Sequence, residues 1–172
     1  MNRYYNPVQT IEGAGCTAEL AGLLEDMGLV QRNVLLLVWS EMVLDLPAFA
    51  GLSNAGFTIR VQVFRASNPT VEQLFETYQA TRDFAPEAVV AVGGGSIMDV
   101  GKSLCCLYGK DLPDEDSLRR LIEEKSYGRP AARWIGIPTT AGTGSEVTCW
   151  ATIWDPERDV KRSVECLSLI NI

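Results

Sequence analysis

The chain has 172 residues, 47% of them apolar and 22% charged, a composition that suits one soluble globular domain over residues 1–172. Fifteen basic against 22 acidic residues give a net charge of −7, which leaves no general attraction for nucleic acid or anionic lipid. There is no histidine, which removes every Ser-His or Cys-His nucleophile pair and the commonest protein ligand for zinc or iron. The longest strictly apolar run, Val34–Trp39, is far too short for a membrane span, and the N-terminus lacks the apolar stretch of a signal peptide. The cysteines (16, 105, 106, 149 and 166) are odd in number and have no Cys-x-x-Cys spacing. Reduced structural thiols in a cytoplasmic protein are therefore expected.

In chain order, the spacing predicts a helix over Thr17–Met27, a buried strand over Val34–Trp39 and a helix over Leu44–Asn54. An alternating strand follows at Phe57–Phe64, then a helix over Val71–Phe84 that opens on Thr70 as N-cap with Gln73 three residues on. Ala88–Val92 and Trp134–Ile137 read as further strands, with helices at Ser96–Tyr108 and Ser117–Lys125 between them. Gly28, Gly56 and Gly109 fall where helix C-caps belong. The acidic stretch Asp111–Asp116 reads as a solvated loop. Strand–helix alternation implies a Rossmann-like, doubly wound α/β sheet, mainly parallel. Val147–Trp154 and Val160–Leu167 then alternate around Asp155–Asp159, which predicts a C-terminal β-hairpin with a five-residue turn. The closing run Leu167–Ile172 has no capping or breaking residue and reads as cut off.

Three glycine-bearing stretches compete for a phosphate. Gly13-Ala14-Gly15-Cys16-Thr17-Ala18 matches G-x-G-x-x-A only weakly, and a tight turn into a helix explains it better. Gly93-Gly94-Gly95-Ser96-Ile97-Met98-Asp99-Val100-Gly101-Lys102-Ser103 ends like a P-loop. That motif has four residues between its first glycine and the Gly-Lys pair, whereas Gly95 and Gly101 have five between them, and Asp99 would repel phosphate from inside the cradle. Three glycines at a strand end instead let the backbone approach a ligand at a helix N-terminus. Ser96-x-x-Asp99 also reads as a capping box, which is compatible with such a site. Pro138–Thr148 is a lip rich in hydroxyl donors, suited to ribose or phosphate oxygens.

Taken together, Ser67-Asn68-Pro69-Thr70, Gly93-Gly94-Gly95-Ser96-x-x-Asp99-x-x-Lys102 and Pro138-Thr139-Thr140-Ala141-Gly142-Thr143-Gly144-Ser145-Glu146-Val147-Thr148 resemble the iron-containing (group III) alcohol dehydrogenases over nearly the whole chain. Within that resemblance the alcohol dehydrogenase branch fits best. Glycerol dehydrogenases usually carry Lys at the Ser96 position, and maleylacetate reductases differ within the Thr-Thr-Ala-Gly-Thr stretch. The resemblance implies that Gly94, Gly95, Ser96 and Asp99 hold the pyrophosphate of NAD or NADP and that Asn68 lines the adenosine side. It also implies that Thr139, Thr140, Thr143 and Thr148 face ribose and nicotinamide, and that Lys161 reaches a ribose hydroxyl. Ser40 stands where NAD-using members often have Asp, which removes a bar to a 2′-phosphate that nearby Glu41 partly restores. The family's helical domain, with one Asp and three His for a divalent metal (iron or zinc), is absent from this sequence. The resemblance thus implies the cofactor half of an enzyme acting on small-molecule alcohols or aldehydes, inactive alone, in a family whose members commonly form homo-oligomers. A non-catalytic dinucleotide-binding module and, more distantly, a P-loop NTPase stay open as alternatives.

Overall fold

The computed structural model describes residues 8–142 and 144–165. Four strands, β1 (Asn33–Val38), β2 (Thr58–Val63), β3 (Ala88–Gly93) and β4 (Arg133–Pro138), form a wholly parallel sheet of order β2-β1-β3-β4. The apolar runs of β1 and β3 occupy its centre, where both faces are covered. The wetter β2 and β4 form the edges. One face packs Leu35, Leu37, Val89 and Ala91 under α3 (Val71–Thr81), α4 (Gly95–Leu107) and α5 (Glu115–Glu123). The other packs Val34, Leu36, Val90 and Val92 under α1 (Leu20–Asp26) and α2 (Pro47–Asn54). The expected doubly wound α/β class is the observed one. Among the described residues, no helix is long and apolar enough to cross a membrane.

Several element boundaries differ from the sequence expectation for identifiable reasons. The first helix opens as a 3-10 turn, Cys16–Glu19. The second starts at Pro47, because a proline disfavours helical backbone in the residue before it, and Leu46 is extended. Residues Glu41–Asp45 form a separate 3-10 turn. Helix α3 keeps its Thr70–Gln73 capping box but ends at Thr81, followed by a short 3-10 turn. The acidic stretch is not a plain solvated loop. Leu112 is buried, Asp114 accepts a hydrogen bond from the Ser117 N–H at 2.8 Å, and α5 therefore starts two residues early. Gly28, Gly56 and Gly109 do adopt the left-handed backbone expected after helices. Cys105, Cys106 and Cys149 are buried and Cys16 is half-buried, and Cys166 lies outside the described residues.

The hairpin forms a second, two-stranded sheet of β5 (Trp150–Asp155) and β6 (Val160–Glu165). It begins three residues later than expected, because Ser145–Val147 makes a 3-10 turn. The connecting turn has four residues rather than five, since Asp155 pairs with Val160 inside the ladder. The expected last hairpin residues, 166 and 167, lie outside the described residues. Asp155 is 0% exposed and ties the hairpin to α5. Its carboxylate accepts from Arg162 Nε at 2.7 Å and Arg119 Nε at 3.4 Å. Arg162 reaches Glu123 at 2.6 Å, and Arg119 reaches Glu157 at 2.7 Å. Burial pushes the Asp155 carboxyl up, but the two guanidiniums outweigh it and hold the carboxyl below the ordinary range.

A carboxylate depressed in the folded state adds stability above its unfolded value, near pH 4, and loses it as pH falls through the folded value. Asp155→Asn should therefore cost about 3 kcal/mol at pH 7, as expected when one partner of a buried ion pair is removed. Denaturant melts of both proteins should show that gap closing below about pH 4.

Helix α4 crosses β3 at Gly101, where an added Cβ would stand 2.9 Å from the Ala91 Cβ and 3.2 Å from Trp134 Nε1. Gly101→Ala should lower stability by about 1–3 kcal/mol through overpacking, read as a drop in melting temperature.

Candidate functional site at the strand ends

In a sheet of this order the chain reverses direction of growth between β1 and β3, and the carboxyl ends of those strands border a crevice. Gly93 closes β3, Gly94 caps α4 and Gly95 begins it. The first N–H groups of a helix have no partner within it, and here they open onto backbone without side chains. Ser96 and Asp99 do not form a capping box, because Gly94 is the N-cap and the helix starts two residues earlier than that motif requires. The Ser96 Oγ instead accepts from the Asn68 N–H at 3.2 Å, with Asn68 in left-handed backbone. The Thr139 N–H donates to the Gly93 carbonyl at 3.0 Å, and an added Cβ on Gly94 would meet the Thr140 Oγ1 at 3.2 Å. Thus Asn68, the glycine turn, Ser96 and the start of the Thr-rich lip converge on one crevice.

The lip is held from beneath by Lys102, which the sequence placed in a false P-loop. Its side chain is 0% exposed. Its ammonium donates to the Ser145 carbonyl and Oγ, both at 2.8 Å, to the Thr148 carbonyl at 3.3 Å, and to the Trp150 carbonyl. The Ser145 hydroxyl in turn donates to Asp99 Oδ1 at 2.6 Å, and Asp99 lies 3.7 Å from the ammonium. Burial lowers the Lys102 pKa, and Asp99 recovers part of the loss. Thr148 donates its hydroxyl to the Ser145 carbonyl at 3.3 Å. Sequence reasoning missed Lys102 and Ser145 as a unit. The signal was there, in the one turn separating Asp99 from Lys102 on a helix.

Other expected site residues stand further off. Ser40 follows β1, next to β3 in the sheet, and its hydroxyl accepts from the Met42 N–H at 3.3 Å. Lys161 lies on the outer face of the hairpin, its ammonium 4.3 Å from the centre of the Trp154 ring. The backbone of Trp154 joins the hairpin to the Asn68 loop, its N–H donating to the Pro69 carbonyl at 2.8 Å. Thr143 lies outside the described residues. A cleft of about 670 Å³ runs along β4 between α1 and the segment around Thr10, but it does not touch the glycine turn. The Gly13–Gly15 stretch follows no strand among the described residues and opens only a 3-10 turn. Among the described residues, no three of His, Cys, Asp and Glu converge as metal donors.

A parallel sheet with a glycine turn at the switch point and a helix N-terminus over it defines a doubly wound α/β protein, a class in which ligands bind at the carboxyl ends of the strands. The chain belongs to the iron-containing alcohol dehydrogenases, whose family model matches residues 7–170. It is 29% identical over 110 residues to the NADPH-dependent butanol dehydrogenase of Clostridium saccharobutylicum, covering 64% of this chain and 28% of that protein. The crystal structure of sulfoacetaldehyde reductase from Bifidobacterium kashiwanohense in complex with NAD+ superposes with a TM-score of 0.78 at 27% identity, over 99% of this chain and 44% of that one. NADH-dependent butanol dehydrogenase A from Thermotoga maritima shares the fold at 20% identity, with a TM-score of 0.78 over 98% of this chain and 42% of that one. The chain therefore spans less than half the length of these relatives.

Replacing Lys102 with Met would strand Asp99 and three carbonyls. Lys102→Met should destabilise the chain by about 3 kcal/mol. Hydrogen exchange should speed up first across Ser145–Trp150, well before β1 and β3 respond.

Proposed function

We propose that this chain is the NAD(P)-binding part of an alcohol dehydrogenase that interconverts alcohols and aldehydes or ketones by hydride transfer. The observation that carries the reading is the convergence of Asn68, Gly94, Ser96 and Thr140 at the mouth of α4. The pyrophosphate would lie against Gly94, Gly95 and Ser96, where backbone N–H groups face a ligand that no Cβ keeps away. Asn68 would border the adenosine. Thr139, Thr140, Thr143 and Thr148 would face ribose and nicotinamide, and Lys161 would reach a ribose hydroxyl after leaving Trp154. Asp99 would serve the site through Ser145 and Lys102, since its carboxylate is engaged there and would repel a phosphate directly.

The family's metal finds no donor set among the described residues. What these residues supply is binding and orientation of the dinucleotide. A small-molecule alcohol or aldehyde would be the substrate of the whole enzyme, and a homo-oligomer in the cytoplasm its setting.

Calorimetry with NADH, NADPH and ATP tests the reading. At least one dinucleotide should bind, with ATP about tenfold weaker or worse, because a crevice at the switch point suits both halves of a dinucleotide. Gly94→Val, which fills the approach to the glycine turn, should abolish that binding. No heat with either dinucleotide would refute the assignment.

A further inference from the structure

We propose that Arg65 recognises the 2′-phosphate of NADPH, with Glu41 as the counter-charge it releases, so that the site prefers NADPH over NADH. The inference rests on the dinucleotide reading above and adds which dinucleotide is taken. Beyond the end of β2 the backbone stays paired with β1, since the Phe64 N–H donates to the Val38 carbonyl at 2.9 Å. Arg65 therefore follows at the same carboxyl end of the sheet as Ser40 and Glu41, with β1 between it and the strand that carries the glycine turn. Its guanidinium lies 2.6 Å from the Glu41 carboxylate.

The chemistry of that position decides which ribose it accepts. A carboxylate alone at this strand end accepts the 2′-hydroxyl of NADH and repels a 2′-phosphate. Here Ser40 offers a hydroxyl, and the nearby carboxylate is already occupied by a cation. The Glu41 carboxyl titrates below the ordinary glutamate range, first through a hydrogen bond from its own backbone and then through Arg65, so it is charged at neutral pH. Arg65 and Glu41 are 67% and 62% exposed, and an ion pair that wet contributes little and exchanges readily. A phosphate dianion offers the guanidinium fork two parallel hydrogen bonds at higher charge density than the carboxylate does. Arg65 would turn to the phosphate with the Ser40 hydroxyl beside it. Glu41 would then be the group that weakens the preference, not the one that sets it.

Fluorescence titrations of NADH and NADPH, with 2′,5′-ADP and 5′-AMP as probes that differ only in the 2′-phosphate, test this. The wild-type chain should bind NADPH about fivefold or more tighter than NADH, and 2′,5′-ADP tighter than 5′-AMP. Arg65→Gln should weaken NADPH and 2′,5′-ADP about tenfold while NADH stays within about twofold. Glu41→Gln should tighten NADPH. Both side chains are exposed, so unchanged melting temperatures will show that the variants fold. If NADH binds as well as or better than NADPH, or if Arg65→Gln weakens both equally, this inference fails and the dinucleotide reading survives. If neither dinucleotide binds the wild-type chain, both fail.

Discussion

The buried ammonium of Lys102 is the contact on which the lip and the start of the hairpin depend. One positive charge, sealed from solvent, gathers the carbonyls of Ser145, Thr148 and Trp150 with the Ser145 hydroxyl, and Asp99 balances it. Those carbonyls lie at the end of the lip, in the 3-10 turn and at the start of the hairpin, three pieces of chain with no ladder between them. A buried charge without partners would be prohibitive, so the loop has little choice but to supply them. Because Lys102 and Asp99 sit on the helix whose first turn borders the crevice, the lip is indexed to the glycine turn itself.

A second buried charge does the same work on the other side of the hairpin. Asp155 holds Arg162 of the facing strand and Arg119 of α5 at once, and Glu123 completes the ring through Arg162. The hairpin's inner face is otherwise small, with Ala151, Ile153 and Val164 the apolar groups packed into the main core. A two-stranded ribbon is marginal by itself. Here it gains apolar contact at its middle and an ionic anchor near its turn. Its start is fixed through Lys102 and its far end through the Trp154 hydrogen bond to Pro69.

What was legible in the sequence follows the range of the forces involved. The central strands announce themselves because Val34–Val38 and Ala88–Val92 are buried on both faces and carry no charge. The Thr70–Gln73 box is read correctly because it is local, with both hydrogen bonds closing within one turn. The start of α2 is misread although Pro47 is in plain view, because hydrophobic spacing continued through it. Asp155 was assigned to a turn because Asp-Pro favours turns, and nothing local marks a carboxylate whose partner Arg119 lies 36 residues away. Lys102 completes no P-loop, and its anchoring role leaves no local mark, since its acceptors are mostly backbone carbonyls that carry no residue signature. The glycine turn and the lip were found from composition. Their convergence rests on contacts between Asn68 and Ser96, and between Thr139 and Gly93, that only the folded chain reveals.

The use of charge rather than packing at these two joints has a physical rationale. Apolar side chains at both 99 and 102 would fill the same volume and avoid the desolvation cost, and replacing a whole buried ion pair in this way often leaves proteins no less stable. Yet dispersion and hydrophobic contact are blind to where a carbonyl points. An ammonium is not. It fixes the orientation of each peptide plane that donates a lone pair to it, and through Ser145 it fixes the rotamer of Asp99 as well. A lip built from Thr, Ala and Gly has little side-chain bulk of its own with which to choose a conformation. For such a segment, a directional anchor beneath it specifies shape where packing would supply only cohesion, and the crevice above inherits that shape.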